Sequence, residues 1–404
     1  MSARGAAAVA LAALLAAGAA GPARARTASG LLGDPAGLRS RLERMGLSLQ
    51  LHYQQLLAWK PRGGVERDGE TGHSGSYDLL ARVDLEELVG LRELVAFAQV
   101  KGQYERHLNR ETGAFSDPAD DADFDEAVYL DQLWLEQGFA AGRIRLRAGF
   151  LELQTSFDRN AYANSEDRQF MNAALDNDPL VPLPNALGAV LVVAPWPWLE
   201  LAAGVADADN RSRHAGFDTL VDDADSLSGW LEATLRFALP GPRSALPGTL
   251  RLGAFRDGRA LAPSGSAETE RGHLGGYASL DQALWREPGE PAQGVGVFAR
   301  AARADRDVST SEWFWSAGLE WTGALPGRDR DALGLGVWQL VASPRLRDAR
   351  PGAFHRETGV ELYARIELAP WLALSPDLQY IVEPGAVPSS GDAVVAQIRV
   401  RMSF

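Results

Sequence analysis

The 404-residue sequence contains no cysteine. That excludes a disulfide framework, a thiolate metal site and a cysteine nucleophile, and it suits passage through an oxidising compartment. A basic surplus is missing too: 40 Lys and Arg stand against 53 Asp and Glu, for a net charge of −13. No nucleic-acid partner is expected, since that needs a positive footprint. Beyond the N-terminus there is no apolar run long enough for a helix to span a bilayer. Walker A, G-x-S-x-G and H-E-x-x-H patterns are absent. The six histidines, His52, His73, His107, His214, His273 and His355, have no ligand spacing to one another. Nothing in these patterns argues for an enzyme, and no cofactor or metal is expected.

What is present begins with a targeting pattern. Arg4 is a positive start, residues 6–20 are an alanine-rich apolar stretch too short to span a membrane, and Ala23-Arg24-Ala25 fits a small-x-small cleavage site. Residues 1–25 therefore read as a signal peptide. Residues 26–46 read as an N-terminal segment with one short helix, capped by Asp34, with Pro35 at its first position and Gly46 at its end. Leu38, Leu42 and Met45 share one face of that helix. Residues 47–404 read as a single domain of strands and turns.

The final segment carries the dominant pattern. Val394, Ala396, Ile398, Val400, Met402 and Phe404 alternate with Val395, Gln397, Arg399, Arg401 and Ser403. Successive side chains of a strand point to opposite faces, so one face is apolar and the other polar and basic. The same alternation fills 47–54, 231–237 and 360–368. Arg143, Arg145 and Arg147 alternate with Ile144, Leu146 and Ala148. Arginines in a row are costly in a dry core and on a lipid face, but at ease in a water-filled lumen. A mean hydropathy of −0.16 fits such a chain, because lipid-facing and water-facing residues cancel.

Proline-bearing turns are short, at Pro195 and Pro197, Pro240, Pro326 and Pro370. The segments 116–126, 206–228, 263–272 and 304–311 are long, polar and acidic. Short turns at one end and long loops at the other describe a transmembrane antiparallel up-and-down β-barrel, an all-β fold of an even strand number. At about 16 strands the mature chain allows roughly 24 residues per strand and loop. Tryptophans beside the short turns would form an interfacial girdle. Asp121, Asp123 and Asp125 begin like an EF-hand, but Glu126 and Gln132 stand where Gly and Glu are required, so a solvated acidic loop is the better reading. The aromatic last residue, at the end of an apolar row, resembles the ending of outer-membrane barrels. Phe404 is thus the expected contact for the barrel-assembly machinery.

Several segments carry a family resemblance. They are Leu31-Leu32-Gly33-Asp34 followed by Gly37-Leu38-Arg39-Ser40-Arg41-Leu42 and Gly46; Thr358-Gly359-Val360-Glu361-Leu362-Tyr363 with Leu368-Ala369-Pro370-Trp371-Leu372; and Pro376-Asp377-Leu378-Gln379-Tyr380-Ile381-Val382 with Pro384-Gly385. Asp281-Gln282, Val297-Phe298-Ala299-Arg300 and Leu333-Gly334-Leu335-Gly336-Val337 add to them. Together they resemble the carbohydrate-selective porins, the OprB-type family of glucose-facilitating porins. Pro35 and Ala36 depart from that family's usual Trp-Gly, and 116–124 and 264–269 match nothing in it. The resemblance runs over nearly the whole mature chain, strongest from Gly276 onward. It implies a 16-stranded barrel with inward-folded loops and a narrow constriction of arginines and carboxylates that takes monosaccharides.

Candidate pore-lining residues follow from the polar strand faces: Arg82 and Asp84 on one, Lys101 beside Gln99 and Gln103 on the next, Glu136 with Gln132, and Arg143, Arg145 and Arg147. Guanidinium forks donate in a plane and carboxylates accept, a pairing that suits sugar hydroxyls. The plainer role for any one of them is an ion pair that braces the wall. The expected function is passive, carbohydrate-selective diffusion of small sugars such as glucose across the outer membrane of a Gram-negative bacterium into the periplasm. Membrane lipid and lipopolysaccharide are expected partners, and homo-oligomerisation is left open. The alternatives are a general or anion-preferring diffusion porin, which the arginines motivate, and a barrel enzyme or adhesion scaffold.

Overall fold

The structure, a computed structural model, describes residues 30–65, 68–106, 108–121, 126–208, 226–242, 245–263, 266–349, 355–385 and 391–404. The expected signal peptide lies outside the described residues, as do 122–125 of the acidic run. Sixteen strands form one closed sheet, each antiparallel to its neighbours in sequence, and β16 pairs with β1. They are β1 Leu47–Gly64, β2 Glu70–Asp84, β3 Leu94–Arg106, β4 Glu126–Phe139, β5 Ile144–Glu152, β6 Asn185–Trp196, β7 Leu199–Asp207 and β8 Leu227–Leu239. The second half comprises β9 Leu246–Asp257, β10 His273–Glu287, β11 Glu290–Arg303, β12 Ser311–Thr322, β13 Ala332–Ala342, β14 Arg356–Ala369, β15 Leu372–Val382 and β16 Gly391–Ser403. Among the described residues no helix is long and apolar enough to cross a membrane.

The alternation decides which way each side chain points. Leu79, Leu135, Leu231 and Leu362 lie 46–64% exposed on the outer wall, while Ser76, Gln132, Glu232 and Glu361 of the same strands are buried inside. A belt of exposed leucines this extensive is unsuited to water and suits lipid. Trp196 and Trp198 stack at the β6–β7 turn, with ring centroids 5.4 Å apart. Their place beside a short turn is that of an interfacial girdle.

The N-terminal helix differs in detail from the expectation. Pro35–Gly37 forms a single 3-10 turn, Gly37 takes the left-handed conformation at φ 67°, and the helix proper, α1, is Leu38–Arg44. Asp34 still serves its start: its carboxylate accepts from the Ser40 backbone N–H and hydroxyl. Arg39 donates to the Phe404 carbonyl oxygen at 2.8 Å, tying this segment to the last strand. The chain after it is not all strand and turn. A short helix, α2 (Leu85–Val89), caps the β2–β3 connection.

The lumen is filled rather than empty. The connection from Leu153 to Pro184, absent from the long loops expected above, folds inward. Phe157, Phe170, Leu175 and Val181 join Trp230, Phe298, Trp338 and Tyr363 of the wall in one apolar cluster. Phe170 meets the edges of Phe298 and Tyr363 at centroid distances of 5.5 and 4.8 Å. Two wall glycines make room for it. A Cβ at Gly296 would sit 1.9 Å from Tyr162 Cζ, and one at Gly336 2.7 Å from Leu175 Cδ1.

Candidate functional site

Polar groups of the wall hold the inward loop by its backbone. Glu361 on β14 accepts from the Met171 and Asn172 N–H groups at 2.6 and 3.1 Å. Arg300 on β11 donates to the carbonyls of Leu175, Asp158 and Ala163, and its Nε lies 3.4 Å from Asp158 Oδ2. Arg399 on β16 donates to the carbonyls of Glu166 and Gln169. The 108–121 segment is fastened likewise. Glu357 accepts from the Phe115 and Ser116 N–H groups, and Gln379 and Gln397 both donate to the Pro118 carbonyl. An irregular backbone can lie inside a barrel because its polar groups find such partners.

The loop carries buried acids of its own. Burial pushes the Asp176 carboxyl up from the usual range, against the pull of Arg300. Burial and then the neighbouring Asp158 push Asp178 well up. Asp176 Oδ1 and Asp178 Oδ2 have no hydrogen-bond partner, an arrangement tolerable when the carboxyls are protonated. A carboxyl raised in the fold stabilises it below the unfolded value of about 4 and loses that contribution as pH rises through the raised value. The loop should therefore be held more firmly in mild acid. Single-channel records are expected to show fewer flickering events at about pH 5 than at about pH 8; the opposite trend would contradict this account.

Below the loop, on the short-turn side, lies a cavity of about 600 Å³ lined in part by Asn160, Asn164, Arg168, Glu320, Arg365 and Arg401. Arg401 pairs with Asp167 at 2.5 Å, and Arg330 and Arg365 with Glu367 at 3.0 and 3.8 Å. Seven strands from both β14 and β16, Glu200 of β7 receives the guanidinium groups of Arg145, Arg159 and Arg236 at 3.2, 3.2 and 3.1 Å. Beside them Arg147 bonds Glu136 at 2.8 Å and lies over the Trp134 ring at 4.2 Å. Both clusters interleave planar cationic donors with carboxylate acceptors. Among the described residues no group of three or more His, Asp or Glu is placed to hold a metal ion.

The candidates from sequence fall in three places. Arg145, Arg147 and Glu136 come together on the β4–β5 wall beside Glu200. Lys101 lies deeper, paired with Asp121 at 3.2 Å and Glu166 at 3.7 Å, so it clamps both inward loops. Arg82, Asp84 and Arg143 stand at the short-turn rim. Arg82 is exposed near the end of β2, and Arg143 precedes β5 in the turn. Asp84 accepts from the Glu86 and Glu87 N–H groups at 3.1 and 3.3 Å, so its carboxylate caps α2 instead of facing the passage. The acidic run is also corrected at its described residue. Asp121 is buried, accepting from Gln54 and Ser76, rather than solvated. Sequence reasoning missed Glu200, Arg159, Arg168 and Arg365. Arg365 already stood on a polar strand face, but Arg159 and Arg168 lie in a segment with no periodicity.

Comparison with known proteins agrees with this architecture. A model of the "Carbohydrate-selective porin, OprB family" matches residues 70–404. Porin B of Pseudomonas aeruginosa is 22% identical over 93% of this chain and 91% of its own. A putative porin, QuiX, of Acinetobacter baylyi is 23% identical over 93% of each. The high-pH structure of Pseudomonas putida OprB superimposes with a TM-score of 0.82 at 21% identity, covering 95% of this chain and all of that one, and shares the fold. The low-pH structure of the same protein gives a TM-score of 0.63. With the family model spanning most of its length and a lumen narrowed by inward loops, the chain belongs to the carbohydrate-selective porin family, a family of channels rather than enzymes.

Proposed function

We propose that the chain admits small neutral sugars such as glucose by passive diffusion across the outer membrane of a Gram-negative bacterium, toward the periplasm. The observation that carries this reading is the pair of guanidinium–carboxylate clusters toward the short-turn end, one lining the cavity and the other gathered on Glu200. A pyranose presents hydroxyls around its whole ring, each able to donate and accept. It can exchange partners along such a wall without a net charge of its own, and weak contacts let it leave. Liposome swelling tests this: glucose should enter several-fold faster than gluconate of similar size. Gluconate entering as fast or faster would overturn the reading. It would favour an anion-preferring porin, a second reading motivated by the three guanidinium groups gathered on the single carboxylate of Glu200.

The wall itself can be probed. Arg145→Gln with Arg147→Gln should raise small-ion conductance and weaken saturable block of the current by glucose, because planar donors are lost. Glu136→Gln should act more mildly and shift ion preference toward anions. Unchanged sugar block in the double variant would mean that these arginines brace the wall and that selectivity rests with Arg159, Arg168 and their partners.

A further inference from the structure

The outer wall carries a feature that sugar passage does not use. Register sets Leu231, Ala254, Gly276, Arg303 and Trp313 in one row across β8 to β12, with Gly229, Arg256 and Leu274 in the row toward the long loops. The small side chains leave a groove of about 510 Å³, floored by Ala189, Ala203, Gly229 and Ala254 and rimmed by Leu191 and Leu231. Arg256 and Leu274 close its upper end. Directly beyond Leu274 a second hollow, about 740 Å³, is lined by Arg271, Arg303 and Arg306 together with Glu270, His273 and Asp305.

The charges there are unevenly shared. Asp305 is engaged by His273 at 3.3 Å, and Arg306 has Glu312 at 3.9 Å. Arg303 stacks over Trp313 at 5.2 Å, and Arg256 donates to the Leu227 carbonyl. Arg256, Arg271, Arg303 and Arg306 are all exposed. Arg256 and Arg303 engage a carbonyl oxygen and an indole ring, neither of which neutralises a guanidinium, so this pair on the outer face suits an anion. Trp313 beside Arg303 marks the height of the membrane interface at the long-loop end.

We propose that this face docks a phosphorylated, multiply acylated glycolipid of the lipid A class, its phosphate on Arg256 and Arg303 and an acyl chain in the groove. Apolar groove and basic hollow meet at Leu274, so headgroup and chain would be held by one continuous surface. A second copy of the chain fits less well, since it would have to cover several arginines with an acidic partner face. The inference rests on the outer-membrane reading, and its test does not use sugar transport.

Native mass spectrometry of the full chain in detergent, with bisphosphorylated lipid A added, is expected to show one retained lipid per barrel. Arg256→Gln with Arg303→Gln should lower retention at least tenfold, as should dephosphorylated lipid A. Ala254→Trp, which fills the groove and leaves the arginines, should lower it as well. Inorganic phosphate in large excess should not displace the lipid. Glucose-driven swelling should be unchanged in all variants, which separates failure here from failure of the channel reading. Equal retention by the arginine variants, indifference to the phosphates, or a dimer through this face that excludes lipid would each overturn the proposal.

Discussion

Replacing Arg300 by alanine is expected to open the channel. Its side chain is wholly buried and bonds three carbonyls of the inward loop and the Asp158 carboxylate. Removing one partner of a buried ion pair costs about 3–5 kcal/mol, because the other is left uncompensated. The loop can escape that cost by leaving the wall and taking water as its partner. Single-channel conductance should then rise about twofold or more, with larger fluctuations, while the barrel still forms. Arg300→Lys should fall between, since one ammonium cannot reach three carbonyls in a plane. Wild-type conductance in the alanine variant would mean that Glu361, Arg399 and the apolar cluster hold the loop without it.

The second large effect concerns the outer wall. Ile398 lies on the lipid side of β16, opposite Leu57 of β1 and Pro376 of β15. Ile398→Arg should destabilise the barrel by about 2–4 kcal/mol if the position lies near the bilayer midplane. Urea titration in lipid vesicles, followed by the shift in gel mobility between folded and unfolded forms, measures this. Arg399→Gln, one residue on, should leave the wall intact but loosen the loop, because two backbone carbonyls lose their donor. If both variants unfold at the wild-type midpoint, the assignment of inner and outer faces at this strand is wrong.

The wall was legible in the sequence because a strand repeats every two residues, so faces can be assigned from local pattern alone. The alternations at 47–54, 231–237, 360–368 and 394–403 lie in strands with the expected faces inward, while Phe404 lies just past the end of β16. The resemblance implied inward-folded loops, but which residues of the loops and wall meet in the lumen was not legible. Arg159 meets Glu200 forty-one residues away, and Arg399 meets Glu166 at a separation of 233. Such partners leave no periodic trace, and a loop that packs inside a barrel has the composition of one that lies in water. Asp121 illustrates this: an acidic run looks solvated until Gln54, Ser76 and Lys101 are seen around it. Asp84 shows the reverse, a strand-face carboxylate whose oxygens a helix N-terminus claims.

The last strand has a double task. β16 closes the wall against β1, and its inward residues Gln397 and Arg399 grip both loops. A slip of one residue at that seam would turn every side chain of β16 to the other face. Arg399 and Arg401 would enter lipid, the Glu166 and Gln169 carbonyls would lose the Arg399 donor, and the Pro118 carbonyl would keep only Gln379 of its two glutamine donors. The loops inside therefore proofread the register of the seam. A barrel closed out of step cannot seat its plug, so a correctly narrowed passage is also evidence of a correctly closed wall.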